Sequence, residues 1–140
     1  MKTIAILAAT REEQEKVKNV IAELAPPENE YKFNMYRVYH THKADMLAEI
    51  AGDMGAGCLD LLIISDWIDT DWEEFSCAEI IGFCHQAVPD LPVIITTEAE
   101  VSEDDLENII PSRVYPNSIF LDPKNELAGK MVAEIVNILA

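Results

Sequence analysis

Short, nearly continuous apolar runs alternate along this chain with segments whose apolar residues recur at helical spacing, and that alternation narrows the fold more than any other feature. Residues 4–9, 59–65 and 91–97 have the pattern of strands buried on both faces. After the first of them, Thr10 and Glu13 form a capping box ahead of a stripe of Val17, Val20, Ile21 and Leu24, which Pro26-Pro27 ends. Residues 31–39 alternate Tyr31, Phe33 and Met35 with Lys32, Asn34 and Tyr36, as a strand with one wetter face does. Leu47, Ile50, Ala51 and Met54 mark the next helix, stopped at Gly55 and Gly57. Trp72, Phe75, Ile81, Cys84 and Val88 mark a third helix before Pro89. Ser102 and Asp105 cap a fourth helical segment lined by Leu106, Ile109 and Ile110 and closed by Pro111. Residues 119–121 read as a short fifth strand, and Asn125 opens a last helix carrying Ala128, Met131, Val132, Ile135 and Leu139.

Repeated βα units joined by right-handed crossovers put helices on both faces of a parallel sheet. The expected fold is therefore α/β, a single doubly wound five-stranded parallel sheet in the flavodoxin-like order 2-1-3-4-5, forming one domain over residues 1–140. Ligands of such sheets sit at the carboxyl ends of the strands, so function is sought just after residues 9, 65, 97 and 121. With 49% apolar residues the core needs no disulfide or structural metal.

The 26 acidic against 10 basic residues leave a net charge of −16, which disfavours a nucleic-acid surface. No stretch approaches the roughly 20 apolar residues of a membrane helix. The opening MKTIAILAAT runs straight into Arg11, Glu12 and Glu13, so it reads as a buried strand and not a signal peptide, and the expected location is cytoplasmic. Cys58, Cys77 and Cys84 fit neither a redox pair nor a zinc site and read as core thiols. His40, His42 and His85 show no metal-ligand spacing.

The third strand ends in Ile64-Ser65-Asp66-Trp67, which sets a carboxylate at the mouth of the sheet. Ile-Ser-Asp-Trp resembles the segment around the phospho-accepting aspartate of chemotaxis-type response-regulator receiver domains. Leu91-Pro92-Val93-Ile94-Ile95-Thr96-Thr97 resembles their fourth strand with its switch threonine, and Val17-Lys18-Asn19-Val20-Ile21 part of their first helix. In length and element order the resemblance covers the whole chain, and it implies a (βα)5 receiver fold. It makes Asp66 the candidate phosphoacceptor and Thr97 the candidate switch residue.

The chain departs from the receiver pattern at the positions that bind and neutralise phosphate. Receivers carry two acids at the end of strand one to hold Mg2+, and here those positions are Ala8 and Ala9. Their lysine before a proline at the end of strand five is replaced by Asp122 in Leu121-Asp122-Pro123, with Lys124 just beyond. Thr70 and Glu74 stand near the usual loop proline and glycine, and Ile119 beside Phe120 at the aromatic switch position. Asp66 and Asp122 are expected to face one another, with Asp69, Asp71, Glu98 and Glu100 on the rim, a site that repels a phosphoryl donor. The same resemblance leaves Mg2+ a weakened cofactor, with Asp66, Asp69 and Asp122 as the ligand set of a displaced Mg2+ or Ca2+ site. A solvated acidic rim is the plain alternative.

The resulting expectation is an atypical receiver, or pseudo-receiver, of two-component phosphorelay type. It is not an enzyme and acts through protein–protein contacts with a sensor kinase or an output protein, a homodimer being allowed. Its output face would be the 102–110 helix, the last strand and the last helix. The alternative is a regulatory or oligomerisation module like the receiver-like N-terminal domain of basic amino-acid decarboxylases. A flavodoxin-like cofactor binder lacks support, because Ala8-Ala9-Thr10-Arg11 has none of the Gly- or Ser/Thr-rich phosphate-cradling chemistry expected after strand one.

Overall fold

The computed structural model describes residues 2–37, 42–57, 59–65, 77–97, 112–116 and 123–140. Along the chain these form β1 (Lys2–Ala8), α1 (Arg11–Leu24), β2 (Tyr31–Arg37), α2 (Lys43–Gly55), β3 (Leu61–Ser65), α3 (Cys77–Ala87), β4 (Val93–Thr97), β5 (Ser112–Pro116) and α4 (Glu126–Leu139). The strands pair in parallel in the order β2-β1-β3-β4-β5. The α/β class, the parallel sheet and the order of its first four strands are those the sequence implies.

Strand alternation divides the core into two layers. Ile4, Ile6, Leu61, Ile63 and Ile94 meet Val17 and Ile21 of α1 and Met131 and Ile135 of α4 on one face. Ala5, Leu7, Leu62, Ile64, Val93 and Ile95 meet Met46 and Ile50 of α2 and Ile80 and Ile81 of α3 on the other. All five residues of β3 and of β4 are buried, which is why those segments read as continuous apolar runs.

Local chemistry sets the helix ends. The Thr10 hydroxyl accepts from the Glu13 N–H at 3.2 Å, and Asn125 Oδ1 accepts from the Leu127 N–H at 2.9 Å, each satisfying a donor that the helix cannot. Gly57, with φ of 71°, takes the left-handed conformation past the end of α2, and its N–H donates to the Met54 carbonyl at 3.0 Å. Asp60 fastens the start of the sheet, its carboxylate accepting from the Thr3 N–H at 2.8 Å while its own N–H donates to the Thr3 carbonyl at 2.9 Å.

Two expectations are corrected. The strand beside β4 is Ser112–Pro116, not residues 119–121. An edge strand does not need a continuous apolar run, and its end position tolerates Pro116, so the more apolar 119–121 segment drew the assignment. Tyr36, expected on the wetter face of β2, is 4% exposed and belongs to the core packed by α2 and α3. Its ring is apolar enough to bury and its hydroxyl finds a partner there. The helical pattern over 102–110, the start of the third helix and residues 119–121 lie outside the described residues.

Gly52 in α2 and Gly129 in α4 have no atom within 4 Å of where a Cβ would stand. Neither glycine serves internal packing, yet each lowers helix propensity. Gly52→Ala and Gly129→Ala are expected to raise the unfolding free energy by about 0.5–1 kcal/mol each, additively, in urea titrations. A loss of stability in either variant would mean that the open space at that site is filled. No helix among the described residues is long and apolar enough to cross a membrane.

Candidate functional site at the carboxyl edge

In this strand order the winding reverses between β1 and β3, and the crevice that results opens at their carboxyl ends. Ala8 closes β1 at 1% exposure, paired in register with Arg37. Ala9 is half-buried in the bend that leads to the Thr10 cap of α1. Ser65 ends β3 at 2% exposure beside Thr96, which is fully buried, and Thr97 ends β4 at 7% exposure beside Pro116. Strand alternation puts Ala8, Ser65 and Thr96 on the face covered by α1 and α4, and Thr97 on the face covered by α2 and α3. Thr96 also pairs with Tyr115, whose hydroxyl donates to the Glu134 carboxylate and so ties the edge strand to α4.

The described part of this edge thus holds two small apolar side chains and three buried hydroxyls. Ala8 and Ala9 offer no side-chain oxygen, so the end of β1 does not fit a hard divalent cation, which needs carboxylate ligands there. Among the described residues no group of three or more His, Cys, Asp or Glu side chains could hold a metal ion. Asp66 follows Ser65 directly, and it, Asp69 and Asp122 lie outside the described residues.

Two clefts lie away from this edge, near the amino ends of the strands. One, of about 360 Å3, is lined by Lys2, Tyr31, Val136 and Leu139 among others. The second, of about 380 Å3, lies between α2 and α3. Cys84 is a buried core thiol, as expected. Burial pushes the Cys84 thiol up to about 11, so it stays protonated and inert. His85 Nε2 lies 3.0 Å from the Leu91 carbonyl oxygen, which fixes the ring at the end of α3.

Sequence reasoning did not find the polar joints that hold the helices to β2. Gln14 is 2% exposed, and its Nε2 donates to the Tyr36 carbonyl at 2.8 Å, pinning α1 to the edge of β2. The Tyr36 hydroxyl donates to Asp53 of α2, whose Oδ2 also accepts from Asn34 Nδ2 at 3.3 Å. Burial first, and the neighbouring Asp53 carboxylate second, hold the Tyr36 phenol well above its ordinary value. The one signal for these joints was a glutamine on an otherwise apolar helical face.

No family model matches the sequence, and no curated protein sequence matches it. Among solved structures, a 3-dehydroquinate dehydratase-like protein from Bifidobacterium longum is similar, with a TM-score of 0.54 over 98% of this chain and 99% of that chain at 10% identity. The likeness is one of fold.

Proposed function

We propose that the chain is a pseudo-receiver, a (βα)5 signalling module of two-component type that works inside the cell through protein–protein contacts and performs no catalysis of its own. The observation that carries this reading is the end of β1. At the crevice where a parallel sheet of this order receives its ligand, Ala8 is buried and Ala9 half-buried, while a threonine, Thr97, stands at the end of β4. A phosphoryl group carries charge that must be neutralised for transfer, and two alanines supply neither metal ligands nor charge. Asp66 keeps the place of a phosphoacceptor in the sequence, Thr97 that of the switch residue, and the partners are a sensor kinase or an output protein.

The proposal is tested by titrating Mg2+ into wild type and into an Ala8→Asp/Ala9→Asp variant while following the backbone amides of Ala9, Thr10, Ser65 and Thr97. Wild type should show no saturable change at these amides, and the variant should acquire one. Burying a carboxylate at position 8 costs the variant stability in the metal-free state, so a compensating rise in melting temperature with Mg2+ is expected as well. Saturable Mg2+ binding at these amides in wild type would overturn the proposal.

A further inference from the structure

We infer that the free edge of β2 takes up an extended basic segment of a partner protein as an added strand, with alternate lysines or arginines along α2 and apolar residues along α1. The edge lies away from the crevice between β1 and β3, so the inference does not depend on the fate of the phosphorylation site. β2 ends the sheet on one side and pairs with β1 in unbroken register over seven residues, with no glycine or proline to blunt it. Thr3 turns both its N–H and its C=O towards Asp60, on the β3 side of β1. Alternation then turns Lys2, Ile4 and Ile6 towards β2, where Lys32, Asn34 and Tyr36 answer them in this register. The backbone N–H and C=O groups of Tyr31, Phe33 and Met35 therefore point outward, and among the described residues none of them has a partner.

Charge selects the occupant, because the two faces beside this edge differ. On one, the half-buried side chains of Tyr31, Phe33 and Met35 pack against the layer beneath α1, and the Lys18 ammonium stands 5.9 Å from the centre of the Phe33 ring. On the other, Asp53 of α2 accepts from Asn34 and from Tyr36. Glu49 and Asp45, four and eight residues before Asp53, share that side of α2 and are exposed, and the Glu49 carboxylate is near enough to help raise the Tyr36 phenol. Their spacing of about 6 Å along the helix nearly matches the roughly 6.7 Å between alternate residues of a strand. Lys32 is exposed on the same face, on the amino-terminal side of Asn34, while the row climbs from Asp53 towards the carboxyl end of the sheet, from which α2 runs back. An added strand with a cation at every second residue thus meets the carboxylates in turn, and its other face covers apolar side chains, the strand-addition mode of recognition. A second copy of β2 is disfavoured, because the two-fold axis that would pair this edge with itself sets the two α2 helices side by side, acid row against acid row.

The probe is a short synthetic peptide of alternating lysine and valine, compared with a peptide of the same composition in scrambled order, in NMR titrations and amide hydrogen exchange of the whole chain. Saturation should slow exchange at the Tyr31, Phe33 and Met35 amides by roughly tenfold or more and leave Lys32, Asn34 and Tyr36, already in the ladder, little changed. The scrambled peptide should bind more weakly. Asp45→Asn/Glu49→Gln should weaken the alternating peptide by roughly threefold to tenfold, whereas Glu23→Gln/Asp90→Asn, an equal loss of charge at exposed positions elsewhere, should change binding by less than about twofold. Met35→Pro removes an outward N–H without touching the ladder to β1 and should weaken binding more than Met35→Ala, which keeps the N–H. No slowing at the three outward amides, equal binding of the scrambled peptide, equal effects of the two charge variants, or equal effects of the two Met35 variants would each overturn the inference. So would slowing of the same amides with rising protein concentration in the absence of peptide, which would show the edge pairing with a second copy.

Discussion

Ile63→Ala is expected to lower the unfolding free energy by about 3–4 kcal/mol, the upper part of the usual range for truncating a buried isoleucine. Ile63 is fully buried in β3, with Ile6 of β1 on one side of it in register and Ile94 of β4 on the other. α1 and α4 close the same layer with Val17, Ile21, Met131 and Ile135. A site held by two ladder partners and two helices collapses little when a side chain is shortened, so the cavity remains and its cost adds to the lost transfer energy. Domains of this size have about 5–15 kcal/mol of stability in total, so the variant should show a much lower urea midpoint. Ile138, 38% exposed on α4, provides the control, and Ile138→Ala should change stability by less than about 1 kcal/mol. Similar losses at the two positions would mean that the layer around Ile63 is not the closed core described.

Alkaline pH should unfold the protein through two buried acids on the α2/α3 side. The Cys84 thiol is raised from 9.0 to about 11, by burial. The Tyr36 phenol is raised above 10.0, by burial and then by Asp53. Both folded values lie above the unfolded ones, so the native state retains protons that the unfolded chain releases. The stability linked to those protons is complete below about pH 9 and is lost as pH rises through the folded values, between about 9 and about 11 for the thiol and from about 10 upward for the phenol. At about 1.4 kcal/mol per pKa unit, Cys84 alone accounts for roughly 2–3 kcal/mol of the decline. Cys84→Ala should lower stability at neutral pH, since it leaves a small cavity, but flatten the fall above about pH 9. Tyr36→Phe should flatten the later part of the fall. Urea midpoints measured across this range check both, and a wild-type midpoint constant up to about pH 11 would contradict the burial of Cys84 and Tyr36.

The layers of the fold were legible because strands buried on both faces have no polar positions to disguise them. β3 and β4 could be read from their isoleucines and leucines alone, and α1 from its capping threonine and apolar stripe. β5 was not legible. It lies at the sheet edge, ends in proline, and offers Val114 and Tyr115 in place of an unbroken apolar run. Tyr36 was misassigned because alternation gives the side of a strand and not its depth, and a tyrosine with a carboxylate partner can be buried on the side expected to be wet. At the candidate site, what was legible was the absence of acids at Ala8 and Ala9 and the presence of Thr97, all of which fall at the strand ends expected. The pairing of Ser65 with Thr96 was not, because register between β3 and β4 is a long-range property that neither segment encodes by itself.

The intact mass of the purified wild-type chain after incubation with a small phosphodonor and Mg2+ tests the pseudo-receiver proposal most directly. With alanines at the end of β1, the mass should be unchanged, and Asp66→Asn should behave as wild type does. An Ala8→Asp/Ala9→Asp variant, with or without Asp122→Lys, measures how much of the lost chemistry returns with its metal ligands. Addition of one phosphoryl group to wild type, abolished in Asp66→Asn, would contradict the proposal and make the chain a working phosphoacceptor.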